Sequence, residues 1–196
     1  MTIKPNILAN NLSLFGMTII TLIAVYQKQT TVFYILYLFW CDELIRTIFD
    51  RFRYYFRKNQ IQDLPLFYKD NKERFFMLFL YLIFIIVFFG FMLDRKDYSI
   101  VGNNIHVFLF QNTLFNVSVL TFLGREFYFY KTNNEILEPK NVWSKGILIL
   151  HISIVLGVLF WALSTQKFQF FKEYAIVLSV VPFLVIKLLF ELNSED

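Results

Sequence analysis

The chain has 196 residues, of which 57% are hydrophobic and 17% charged; a soluble domain of this size is roughly 45–50% apolar and about 25% charged. The charges collect in short segments between long apolar runs, which is the pattern of a chain whose solvent is lipid and not that of an ordinary water-soluble domain. The net charge of +4 comes with no nucleic-acid-binding motif, so no nucleic-acid partner is expected and the excess of Lys and Arg reads as a topology signal.

A spanning helix takes about 20 predominantly apolar residues, and six such stretches follow one another. The first, residues 6–26, comes after Lys4 and carries Asn10, Asn11, Ser13, Thr18 and Thr21; side chains of this kind turn toward protein rather than lipid. No small-x-small cleavage pattern follows it, so it reads as a membrane helix rather than a signal peptide. The second covers residues 31–52, with helix-compatible residues on to Lys58. Residues 32–41 are wholly apolar or aromatic, and Asp42, Glu43 and Arg46 come directly after them. The third, residues 75–93, has no charge at all. The fourth, residues 105–130, contains Gln111, Asn112, Thr113, Asn116, Ser118 and Thr121 and so also needs protein contacts. The fifth, residues 146–163, follows Trp143. The sixth, residues 174–192, holds Pro182 and Lys187; the proline removes a helical hydrogen bond and favours a kink.

Loop charges orient these spans. Residues 51–74 hold seven basic side chains: Arg51, Arg53, Arg57, Lys58, Lys69, Lys72 and Arg74. Residues 131–145 hold three more, just after Arg125, whereas the opposite side offers Lys28, Arg95, Lys96, Lys167 and Lys172. The positive-inside rule then puts the two richer segments, and both termini, in the cytoplasm. Tyr26, Tyr54, Tyr55, Tyr128, Tyr130, Trp143, Trp161 and Tyr174 fall near the span ends, where interfacial aromatics belong. Leu64-Pro65-Leu66-Phe67-Tyr68 forms an apolar patch expected to lie on the membrane surface. The expectation is one all-α transmembrane domain over residues 1–196, a polytopic bundle of six helices. The abundance of Phe, Ile, Asn and Lys suits a bacterial cytoplasmic membrane. Its expected partners are the lipid bilayer and other membrane protein subunits.

Ionisable residues inside a bilayer cost about 2.5–3.5 kcal/mol each on insertion scales. Asp42 and Glu43 lie roughly 16–18 Å along the second helix at 1.5 Å per residue, near the midplane. Arg46 is within one turn of both, and Asp50 follows four residues later, so Asp42, Arg46 and Asp50 form a ladder on one face. Two readings stand together: a self-neutralising ladder, or a proton, ion or ligand site. Asn10, Asn11, Asn116, His151 and Lys187 come out at a similar depth. The candidate polar cluster is therefore Asp42, Glu43, Arg46, Asn116, His151 and Lys187. Each has a plainer role as well. His151 can make a helix–helix hydrogen bond, Lys187 can snorkel or pair with Glu191, and Asn112 and Asn116 can join helices. Cys41, alone in the chain, forms no internal disulfide and reads as a packing residue.

No cofactor or metal is expected. His106 and His151 fall at opposite depths and do not suit the two axial positions of a haem. Walker, Rossmann and nucleophile-elbow motifs are absent from the sequence. Asp42-Glu43-Leu44-Ile45-Arg46 resembles the Glu-Glu-x-x-x-Arg motif of the intramembrane proteases that process prenylated proteins. It is one residue short, begins with Asp, and is followed by neither of that family's histidine motifs, so a metal site would lack ligands.

A resemblance covers more of the chain. Phe39-Trp40-Cys41-Asp42-Glu43 is similar to the Tyr-Trp-x-Glu-Asn motif of a family of small bacterial and archaeal integral membrane proteins of unknown function. Leu150-His151-Ile152-Ser153-Ile154-Val155-Leu156-Gly157 and Ile186-Lys187-Leu188-Leu189-Phe190-Glu191 resemble its later motifs. The third span departs from that pattern, having no histidine. The resemblance implies that Asp42, His151 and Lys187 belong together and implies no reaction. The residues favour a non-enzymatic accessory or scaffold subunit of a membrane complex. The alternatives are a small proton- or ion-coupled transporter using the polar cluster, for which no inverted repeat is visible, and an intramembrane enzyme, which the missing motifs disfavour.

Overall fold

The computed structural model describes residues 5–27, 30–93, 95, 97–133, 136–139, 144–165 and 175–192, with side chains described over 10–27, 30–93, 95, 97–133, 136–139, 144–159 and 182–190. Among these the chain is all-helical: α1 (Pro5–Tyr26), α2 (Val32–Phe56), a short 3-10 turn (Lys58–Gln60), α3 (Leu64–Phe84) continued by a π-helical segment (Ile85–Met92), α4 (Tyr98–Phe108), α5 (Thr113–Thr132), α6 (Lys145–Thr165) and α7 (Ala175–Leu192). Trp143 and Tyr174, the lysines at 4, 28, 96, 140, 167 and 172, and the side chains of Trp161 and Glu191 lie outside the described residues.

Helix α2 is the post around which the others pack. Its first ten residues are apolar around the whole circumference, and a helix of that kind is stable only when surrounded. Every residue from Phe33 to Glu43 is buried, with α3, α4, α5, α6, α7 and the π segment packed against it. Thr31 starts the helix by accepting a hydrogen bond from the Tyr34 backbone N–H at 3.1 Å, a standard N-cap. Polar tips on this post find partners: the Trp40 indole N–H donates to the Leu78 carbonyl of α3 at 2.7 Å. Tyr37 lies nearly parallel to Phe115 of α5, the ring centres 5.3 Å apart. Helix α1 packs on α5 and α7 instead.

Helix α3 begins at Leu64, eleven residues before the uncharged stretch that starts at Phe75. Asp63 caps it by accepting from the Leu66 N–H at 3.0 Å, and Pro65 occupies the first turn, where its missing donor costs nothing. The Leu64–Tyr68 patch is the start of a helix in which Phe67 turns into the core while Leu66 and Tyr68 stay exposed.

The stretch at 105–130 is likewise two helices. The chain leaves α4 after Phe108, Phe110 takes a positive φ of 57°, and Asn112 caps α5 by accepting from the Phe115 N–H at 3.0 Å. Asparagines offer the backbone an alternative to the helical ladder, and this segment uses them for that. Across the gap, Asn104 of α4 donates its amide to the carbonyls of Phe89 and Gly90 in the π segment, both at 3.3 Å, and accepts from the Thr31 hydroxyl at 2.7 Å.

At the other end of the bundle the two basic connections meet. Ile61 and Leu137 form an isolated parallel bridge, with Gln62 N–H donating to the Leu137 carbonyl at 3.1 Å and Leu137 N–H to the Gln60 carbonyl at 2.7 Å. Among the described residues, two helical stretches, Leu64–Met92 and Tyr98–Thr132 (α4 and α5 taken together), are long and apolar enough to cross a membrane; Asn10–Tyr26 and Lys145–Leu159 are shorter apolar helices.

Asn104→Ala should leave two buried carbonyls and the Thr31 hydroxyl short of partners, at about 1–3 kcal/mol, read as a lower unfolding temperature in detergent. Asp97, which caps α4 by accepting from Ser99 and Ile100, is held below the usual carboxylate range by the Ser99 hydroxyl and these backbone donors. Its contribution is complete above about pH 3.9, the ordinary Asp value, and is lost as pH falls through the lowered folded value. Protection of the Ser99 and Ile100 amides, measured against their intrinsic exchange rates, should fall over that acidic window and stay level above it.

Candidate functional site

The site begins with the composition of α2. Asp42 and Glu43 are consecutive, so the helix aims them about 100° apart toward different neighbours. Asp42 is 1% exposed and Glu43 2%. A buried carboxylate persists only where cations and donors replace its water, and here α3, α5, α7 and the start of α6 supply them.

Asp42 collects three cations. Arg125 of α5 donates Nη2 to Oδ1 at 2.5 Å, Lys187 of α7 donates Nζ to Oδ2 at 2.5 Å, and Arg46, one turn along α2, approaches at 3.4 Å. Arg125 also bonds Glu126, its Nε 3.1 Å from Oε1. The other oxygen of Glu126 lies 3.9 Å from Arg53. Arg53 pairs with Asp50 at 2.7 Å, and Asp50 with Arg74 of α3 at 2.6 Å. Arg74 stands 3.7 Å from Glu43, which accepts from the Ser144 hydroxyl at 2.5 Å at the start of α6.

The result is one continuous chain of alternating charge: Lys187, Asp42, Arg125, Glu126, Arg53, Asp50, Arg74, Glu43. It threads α7, α5, α2 and α3 and ends against α6. With Arg46 it counts five cations against four carboxylates. Lys187 also lies over the Phe39 ring, 4.8 Å from its centre. Lys187 is buried at 3% exposure and bonded to Asp42, so it does not snorkel.

Gly146 explains how Glu43 reaches α6. A Cβ at that position would overlap the Glu43 carboxylate, so only glycine lets the carboxylate lie on the first turn. Ser144 completes the arrangement: its Oγ also accepts from the Ile147 N–H at 3.3 Å. Glu43 therefore sits at the positive end of the α6 dipole.

Of the six residues expected to cluster, Asp42, Arg46 and Lys187 meet directly, and Glu43 joins through the chain. Asp50, the last rung of the expected ladder, pairs with Arg53 and Arg74. Asn116 stands apart: its amide donates to the Phe110 carbonyl at 2.7 Å, nine residues or about 13 Å up α5 from Arg125. His151 is exposed and bonds Tyr81 of α3, Nδ1 to Oη 3.0 Å. Arg53, Arg74, Arg125, Glu126 and Ser144 went unforeseen. Arg125 is the one Lys or Arg within residues 105–130, and two adjacent carboxylates beside a single arginine already demanded cations from other helices. Among the described residues, no group of His, Cys, Asp or Glu is placed to hold a metal ion.

Comparisons with protein-family models, curated proteins and solved structures gave no match to the chain.

Asp42→Asn would leave Lys187, Arg125 and Arg46 around a neutral amide, and breaking a buried pair costs about 3–5 kcal/mol. The expected outcome is a large fall in unfolding temperature in detergent. Adding Lys187→Met to that variant should recover part of the loss. Gly146→Ala should also destabilise by displacing the Glu43 carboxylate, by about 1–3 kcal/mol.

Proposed function

We propose that the protein is a polytopic membrane protein, an all-α bundle of six spans, and that it serves as a non-enzymatic accessory or scaffold subunit of a membrane complex. One observation carries the membrane part: the bundle is apolar outside and charged inside. Phe76, Phe79, Ile83, Val87 and Phe91 form an exposed row on α3 and its π continuation. Leu12, Phe15 and Leu22 of α1 and Leu120, Leu123 and Phe127 of α5 are exposed as well, while Asp42, Glu43, Asp50, Arg53, Arg74, Arg125, Glu126 and Lys187 are buried. Soluble monomers rarely expose contiguous apolar patches beyond a few hundred Å², and lipid is the solvent that suits this distribution. The basic connections at 51–74 and 131–145 then face the cytoplasm of a bacterial cell.

The scaffold part rests on mutual neutralisation. Every carboxylate of the charge chain is in contact with a cation of the same chain, which suits a device that fixes helices against one another. A second reading is favoured by the continuity of that chain. Asp42 shared among Lys187, Arg125 and Arg46 is also the kind of site at which a small proton- or ion-coupled carrier would exchange charge.

The decisive experiment is purification of the tagged protein from native membranes in mild detergent, with mass spectrometry and native sizing. A stoichiometric partner is expected. A lone monomer or homo-oligomer whose liposomes take up protons, with Asp42→Asn abolishing uptake, would overturn the scaffold reading in favour of the carrier.

A further inference from the structure

The cations left outside the buried chain are not scattered. Arg51 and Tyr54 on α2, and Lys58 just past its end in the 3-10 turn, follow one another at spacings of three and four residues. On the antiparallel α3, Tyr68, Lys72 and Phe75 do the same. The two rows meet: the Arg51 guanidinium lies over the Tyr68 ring at 4.5 Å and the Phe75 ring at 5.8 Å. The Tyr54 and Tyr68 rings are 5.0 Å apart, and Lys58 lies 5.8 Å from the centre of Tyr54. Lys58 and Lys72 are exposed and Arg51 is half-buried.

Three features give this seam a ligand chemistry. First, among the described residues no ion pair joins Arg51, Lys58 or Lys72 to a carboxylate, and the nearby Asp50 is taken by Arg53 and Arg74. Second, the aromatic rings hold Arg51 by its face, which leaves its N–H edge to donate; Nη1 is shielded from solvent without a hydrogen-bond acceptor. An arginine fixed in this way is suited to a phosphate, which its planar fork meets with two donors. Third, the seam sits where α3 changes character. Residues up to Arg74 include charges, and residues 75–93 include none. On the membrane reading, this is the level of the lipid phosphates on the basic, cytoplasmic side.

We propose that the α2–α3 seam binds the phosphodiester headgroup of an anionic phospholipid, with Arg51 and Lys72 on the phosphate, Lys58 at its rim and the Tyr54–Tyr68 pair against the glycerol and upper acyl chain. This rests on the membrane reading given above, and the test separates the two. Protein purified in neutral detergent is titrated with phosphatidylglycerol or phosphatidylcholine, and bound lipid is counted by native mass spectrometry. Wild type should prefer phosphatidylglycerol. Arg51→Gln with Lys72→Gln should lose that preference by roughly thirtyfold, at about 1 kcal/mol per basic side chain and about 1.4 kcal/mol per factor of ten. Lys72→Gln alone, an exposed change that leaves the ring sandwich intact, should lose part of it. Arg51→Lys keeps the charge but not the fork and should fall between wild type and Arg51→Gln.

Equal binding of the two lipids by wild type, or an unchanged preference in the double variant with its helical circular dichroism intact, overturns the lipid site. Displacement of the lipid by free glycerol phosphate at comparable concentration also overturns it, because the site would then be one for soluble phosphates. A wild-type protein that stays monodisperse without detergent overturns the membrane reading itself.

Discussion

Asp42 with its three cations is the interaction on which the bundle depends. It ties α2 to α5 and α7 at one point, and both Arg125 and Lys187 come from helices that cannot shift without breaking it. A slip of one helical turn is 5.4 Å, far more than a 2.5 Å ion pair survives. Apolar side chains pack in several registers at similar energy; paired charges in a low-dielectric interior do not, because an unpaired one is penalised heavily. The ion pairs therefore select one alignment of helices whose packing surfaces are otherwise rich in interchangeable Phe, Leu and Ile. The remaining links, through Glu126, Arg53, Asp50 and Arg74 to Glu43, carry the same selection to α3 and α6.

Apolar and charged residues divide the labour. Aromatic stacking around Tyr37 and Trp40 fills the half of α2 that precedes Asp42, and the ion pairs occupy the half that follows. Towards the basic end, the same residue types serve another purpose. Arg51, Arg57, Lys58 and Lys131 rest against Tyr68, Tyr130, Tyr54 and Phe127, so cations that leave the interior are still ordered by aromatic faces.

Much of this organisation was legible in the residues. The all-helical character followed from six long apolar runs, and the central place of α2 from residues 32–41 lacking any polar face. Asp42, Arg46 and Lys187 could be singled out because charges are rare within such runs. Two things were not readable. The break after Phe108 depends on Asn104, Asn112 and Asn116 bonding to backbone, and an asparagine in a sequence serves equally as helix glue or helix end. Membership in the charge chain depends on which helices are neighbours. Arg53 and Arg74 count as loop charges until α2 and α3 are seen side by side, and Asn116 and His151 count as cluster members until depth along the bundle is resolved.

The π segment Ile85–Met92 has a consequence for the chain's length. Hydrogen bonds such as that from the Leu93 N–H to the Phe88 carbonyl at 3.0 Å span five residues instead of four, so the segment holds more chain per turn than an α-helix would. Removing one residue there lets a wide turn close into an α-turn with the flanking turns kept roughly in phase, whereas one residue more has no wider turn to absorb it and rotates all that follows by about 100°. Asn104 would swing away from the carbonyls of Phe89 and Gly90, and α4 would lose its seat on the post. Across this short stretch the number of residues is itself a structural parameter, whereas their identities, all apolar but for one glycine beside Phe33, leave room to vary.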